Sequence, residues 1–172
     1  MKNELDHFFD TWDWEARGTA NVLRAIPSDQ YDFRPDPGSR SMGELAWHFA
    51  EIDGYFSRFV ADGKMDWGTK YPGMERPRTV EALAPGYEKI HAEAVERLRS
   101  LKPEDLDRKM EFFDGQMLSI RQLLQGPILR HAIHHRGQLT IMLRMVGAVV
   151  PSVYGPNREQ TVEMKAAAAA KP

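Results

Sequence analysis

The 172-residue chain has no cysteine. Disulfides, thiolate ligands and a cysteine nucleophile are thereby excluded, and any bound metal must be held by nitrogen and oxygen atoms. Long apolar runs are missing as well: no stretch approaches the roughly 20 apolar residues of a membrane-crossing helix. The opening MKNELDHFFD carries no apolar leader core, so a cytoplasmic protein without membrane contact is expected. There is little excess of either charge, with 23 Lys and Arg against 25 Asp and Glu and a formal net charge of −2. The basic residues are scattered and form no stripe that would follow a phosphate backbone, so nucleic acid is not an expected partner. Internal repeats and convincing alternating strand patterns are absent too. What remains is a chain of one-domain length whose 42% hydrophobic residues suffice for a single buried core.

Those residues fall into four runs with the helical period. The first covers about residues 3 to 26 and places Leu5, Phe8, Phe9, Trp12, Ala16, Thr19, Leu23 and Ile26 on one face. The second, about 40 to 61, aligns Leu45, Ile52, Tyr55, Phe56 and Phe59. After the Gly- and Pro-rich DGKMDWGTKYPGMERPR, the third runs from about 79 to 101, with Val80, Leu83, Tyr87, Ala94, Leu98 and Leu101 inward. Asp114-Gly115, set between short apolar pieces, predicts a tight turn or small hairpin. Ser119 is the expected N-cap of a fourth helix that reaches about residue 146. Gly126-Pro127 within it should kink it, because proline removes a backbone donor and crowds the preceding turn. VVPSVYGPN reads as extended. The fold class is therefore all-α: a four-helix bundle over residues 1–157 with a short hairpin before the fourth helix. The Ala-rich tail, 158–172, has strong helix formers and little to bury, and forms a loosely held helix or docks on a neighbouring chain.

HAIHHRGQL, beginning at His131, places three histidines within five residues. At about 100° per residue, His131 and His135 fall inside the apolar stripe of Ile120, Leu124, Ile128, Leu139, Met142 and Val146, roughly 40° and one turn apart. His134 sits at the stripe's edge and is expected to bond to a neighbouring helix or a carbonyl. The i, i+4 spacing lets two ring nitrogens reach one ion, as in the H-E-x-x-H helix of zinc proteases; the glutamate that serves those proteases as base is missing. On the second helix, His48 holds the centre of the stripe of Leu45, Ile52, Tyr55 and Phe59. Three imidazoles thus face one interior. As mere packing, each would be a buried polar ring in need of partners. Three neutral histidines and an open position make a catalytic-type site for zinc or another borderline divalent ion.

The remaining candidates have plainer readings. His91, in EKIH, gives one Glu-x-x-His where a di-iron bundle needs two; it reads as a boundary residue, with a fourth-ligand role the lesser option. His7 projects to solvent. Arg136 points outward, toward an ion pair or an interface. Glu44 and Tyr55 flank the stripe of His48, and Glu44 reads first as a favourable charge in the first turn of its helix. Gln138, about 20° from His131, is placed to orient a ligand from behind.

HAIHHRGQLTIML resembles the H-x-x-x-H-R-G-Q motif of the DinB/YfiT-like superfamily of bundle proteins. SRSMGELAWHFAEID is similar to that family's second-helix motif, and GAVVPSVYGP to its ending after the fourth helix. The resemblance spans Trp12 to Pro156. It implies a bundle of up-down-down-up order, a homodimer, and a divalent metal held by His48, His131 and His135. Zinc is the first expectation for that ion, with nickel, iron or manganese as alternatives. Relatives in the superfamily include S-transferases and isomerases that use a low-molecular-weight thiol, such as bacillithiol or mycothiol, as co-substrate.

A metal with an open position could hold a thiol as thiolate for attack on an electrophile. It could instead lower the pKa of water for hydrolysis. A third possibility is a non-catalytic module that binds a small-molecule ligand. A purely structural metal is disfavoured, because such sites usually have four protein ligands.

Overall fold

The computed structural model describes residues 2–64 and 69–170. Residues 65–68, within the Gly- and Pro-rich loop, and residues 171–172 of the tail lie outside the described residues. Helix α1 spans Glu4–Arg24 and starts at a capping box, Asn3 accepting from the Asp6 amide and Asp6 from that of Asn3. Helix α2, Met42–Asp62, starts at a second box between Ser41 and Glu44 and ends at Gly63, whose φ of 77° is the left-handed conformation of a helix stop. Helix α3 is Leu83–Leu98, shorter at both ends than its apolar pattern suggests. Its last turn gives way to a 3₁₀ turn at Pro103–Asp107, because a residue before proline is pushed out of the helical region.

The turn expected at Asp114-Gly115 is present. Strands β1, Lys109–Glu111, and β2, Met117–Ser119, pair antiparallel with Met110 opposite Leu118. Gly115 takes φ 81° at the tip, and the Asp114 carboxylate accepts from the Gln116 amide at 3.0 Å. Ser119 then caps the next helix with Gln122 in a further box. That helix has three parts. One α-helical turn, α4 at Ile120–Leu123, runs into a π-helical stretch at Leu124–Arg130 and then into α5, His131–Met145. Pro127 lies inside the π stretch and has no N–H to give, so the chain shifts to wider i→i+5 bonding rather than breaking. The tail helix α6, Arg158–Ala169, is capped by Asn157 and buries no residue.

The long helices pack around α2. It lies against α3 most extensively and against α5, while α1 lies against α3 and α5. Of the 21 residues of α2, 14 are buried, so this helix is apolar nearly all round, as a central element must be. A single inward stripe therefore understates it. The strip that stays partly open carries Glu44, His48, Glu51, Tyr55 and Arg58.

Candidate metal centre

His48 reaches α5 from that strip. Its ring centroid lies 5.3 Å from that of His131 and 4.8 Å from that of His135. The latter two rings are 4.6 Å apart on successive turns of α5. One nitrogen from each of the three falls within 4.8 Å of the others, and this is the one such group of ligating side chains among the described residues. His91 is not part of it.

The three rings are fixed from behind, each by a neighbour on its own helical run. His48 Nδ1 donates to Glu51 Oε2 at 2.8 Å. His135 Nδ1 donates to Gln138 Oε1 at 2.7 Å, the role expected of Gln138. The His131 ring bonds to the backbone of Pro127, which the π stretch presents one turn back. His131 Nε2 and His135 Nε2 face each other at 2.8 Å. A neutral imidazole has one donor nitrogen. With those donors spent on Pro127 and Gln138, two lone pairs converge at the centre. That arrangement is unfavourable empty and favourable around a shared cation, so the residues fit a metal.

The electrostatics agree. Burial pushes the His135 pKa down to about 4; its bond to Gln138 works against this, while His48, His131 and His134 add to the lowering. Burial and the neighbouring His48 also lower that of His131; its bond to Pro127 works against this, while His134 and Arg40 add to it. Neutral imidazole is the ligating form. Beside His135 opens a cavity of about 520 Å³, with Arg40, Leu45, Gln138, Ile141, Met142 and Met145 in its wall.

Other residues fall elsewhere. His134 is exposed, its ring against that of His135 at 5.1 Å, and not bonded to a neighbouring helix. His7 is exposed as expected. Glu44 serves the helix start: it bonds to the Ser41 amide and pairs with Arg34 at 2.8 Å and Arg76 at 3.2 Å. The Arg34 bond first, then the Ser41 amide, hold its pKa down to about 2. Tyr55 turns to Tyr71, with centroids 5.7 Å apart.

Arg136 corrects the sequence reading. Rather than pointing outward it is 3% exposed. Its guanidinium pairs with the buried Glu15 of α1, donates to the Glu15 carbonyl at 2.9 Å, and reaches the Tyr154 hydroxyl at 2.5 Å. Gly18 makes room, since a Cβ there would sit 3.1 Å from Arg136 Nη1. The wheel left Arg136 outside because it assumed that only apolar side chains turn inward. The signal that could have found it is a buried acid on the facing helix, and Glu15 lies beside Ala16 and Trp12 on that face.

His91 belongs to a second buried cluster. Its Nδ1 bonds to Asp53 Oδ2 at 2.8 Å and its Nε2 to Asp13 Oδ1 at 3.0 Å. Trp12 Nε1 donates to the other Asp53 oxygen at 3.2 Å. Burial alone would lower the pKa of His91, but the Asp53 and Asp13 carboxylates outweigh it and the net direction is upward.

A family model described as the DinB family matches residues 1–166. The chain belongs to the DinB family. It is 26% identical over 162 residues to the uncharacterized protein YrdA of Bacillus subtilis (strain 168), covering 93% of both chains. A DinB-like protein from Bacillus cereus ATCC 10987 has a similar structure, with a TM-score of 0.70 and 30% identity over 86% of this chain and 95% of that one. The DinB-like protein YjoA of Bacillus subtilis also reaches a TM-score of 0.70, at 24% identity over 86% of this chain and 97% of the other, which speaks for the fold alone. For this DinB-family chain, no helix among the described residues is long and apolar enough to cross a membrane.

Proposed function

We propose that this DinB-family protein holds one divalent metal ion on His48, His131 and His135 and uses it in thiol-dependent group transfer. The observation that carries the reading is the convergence of His131 Nε2 and His135 Nε2 at 2.8 Å while the outer nitrogens are held from behind. When bound, the ion would supply a Lewis-acidic centre that favours the thiolate form of a thiol near neutral pH. Zinc suits three imidazoles and an open position; nickel, iron and manganese are the alternatives. Glu51, Gln138 and the Pro127 carbonyl fix the tautomer and direction of each ring. Leu45, Ile141, Met142 and Met145 give the cavity beside His135 an apolar wall. Thiol transfer is favoured over hydrolysis by the cavity wall. Its carboxylate, Asp36, already accepts from the Gly38 amide at 2.8 Å, whereas hydrolysis asks for a positioned base.

The scaffold for this site is, in our reading, a bundle of up-down-down-up order. A homodimer is supported by the exposed apolar side chains Val162 and Met164 of the tail helix, which buries no residue of its own.

Metal analysis of protein purified without a histidine tag, followed by transfer assays with a panel of thiols and electrophiles, tests the function. Turnover by metal-loaded protein that is lost with the chelator and with His135→Ala is the expected result. Metal-loaded protein that binds thiols without turnover would overturn the enzyme reading in favour of a binding module.

A further inference from the structure

The cavity beside His135 has a chemical asymmetry that the metal centre leaves unused. One side is apolar, formed by Leu45, Ile141, Met142 and Met145. Ile141 and Met145, both on α5, are 63% and 55% exposed. The same wall includes Arg40, in the segment that leads into α2. Arg34, Arg76, Arg121, Arg136 and Arg144 all pair with carboxylates. Among the described residues Arg40 has no such partner, although it stands near enough to His131 for its charge to be felt there.

We propose that this cavity receives a carboxylate-bearing molecule with an apolar body. Arg40 holds the carboxylate and the body lies along Leu45, Ile141, Met142 and Met145 toward His135. A guanidinium matches a planar carboxylate through two parallel N–H bonds. A phosphate would ask for more donors, and the nearby start of α2 has none to spare. Its Ser41 amide bonds to Glu44, the Met42 amide to Phe33 O at 2.8 Å, the Gly43 amide to Tyr31 O at 2.9 Å and the Glu44 amide to Ser41 Oγ at 3.2 Å. The one carboxylate in the wall, Asp36, accepts from the Gly38 amide at 2.8 Å and forms no ion pair with Arg40 among the described residues. A cavity of about 520 Å³ is the size of an ordinary small-molecule site. The inference names the substrate class for the metal-centre reading and rests on it for what happens at the ligand's reacting end.

Calorimetric titration with octanoate and with its neutral isostere octanamide tests this, on zinc-loaded and chelator-treated protein, with metal content measured on each sample. Octanoate should bind at least tenfold more tightly than octanamide. Arg40→Ala, a change at an exposed position, should abolish that preference while leaving octanamide affinity and metal content unchanged. No octanoate binding, equal affinities, or a preference that survives Arg40→Ala would overturn the proposal. A preference that survives the variant and disappears with the metal would assign the carboxylate to the ion instead, and also overturns it. Protein that takes up no zinc yet prefers octanoate through Arg40 would sink the metal-centre reading and uphold this one.

Discussion

His135 and His91 are equally exposed, at 9% each, yet their surroundings shift their pKa values in opposite directions. Burial holds the pKa of His135 down to about 4; its bond to Gln138 works against this but is outweighed, and the neighbouring imidazoles of His48, His131 and His134 add to the lowering. His91 is also buried, but two carboxylates grip its two nitrogens and raise its pKa. The first site gathers lone pairs that a cation would satisfy. The second meets both ring nitrogens with carboxylates and needs nothing more. Burial alone therefore does not mark a functional histidine; the character of what meets its nitrogens does.

The comparison breaks most completely if the two sites respond alike to losing histidine. Replacing His131 and His135 together by Ala should take metal content from one per chain to near none by elemental analysis. His91→Ala should leave it at one. Retention of metal by the double variant would end the distinction.

Next in size is Asp53→Ala. It leaves a buried imidazolium short of its partner and the Trp12 N–H unsatisfied, and should cost about 3–5 kcal/mol in urea unfolding. Metal content per folded chain should not change. Gln138→Ala should do the reverse. It frees the His135 ring and is expected to weaken metal affinity by roughly 10- to 100-fold in a chelator competition, with little loss of fold stability.

Acidity sharpens the contrast further. In the metal-free protein His135 stays neutral down to about 4, while the unfolded chain takes up its proton near the ordinary value of about 6.5. Stability should therefore fall as pH drops from about 6.5 toward 4, and His135→Leu should flatten that slope. His91 acts with the opposite sign. Its raised pKa makes its contribution full below about 6.5 and lost as pH climbs through the folded value, a decline that His91→Gln should remove. Urea midpoints across the pH range separate the two. The smallest effect is expected at His134, whose exposed ring only rests on His135. His134→Ala should keep one metal per chain and stay within about 0.5 kcal/mol of the parent.

The sequence made one of these sites readable and hid the other. Periodicity placed His131 and His135 on a shared face, and i, i+3 spacing from His48 and His135 leads directly to Glu51 and Gln138. The apolar pattern on the second helix singled out Glu44 and Tyr55, which flank the stripe, and gave no sign of Glu51, which braces the His48 ring from outside it. The helices, the hairpin tip at Gly115 and the Ser119 cap were legible because each follows from local chemistry. Asp53 and Glu15 were not. Each is buried only because a basic group on another helix, His91 or Arg136, comes to meet it, and such a pairing has no local signature.

The π stretch at Leu124–Arg130 works as a phase shifter. Fitting one extra residue into a turn offsets everything beyond it by about 100° relative to an unbroken helix. Two apolar stripes, that of Ile120 and Leu123 and that of Leu139 and Met142, can then both face the core although they belong to different angular registers. Deleting a single residue between 124 and 130 would let the segment close into a regular helix. The penalty would not be a local kink but a rotation of α5 against α4, carrying His131 and His135 away from His48 without altering any of the three ligands.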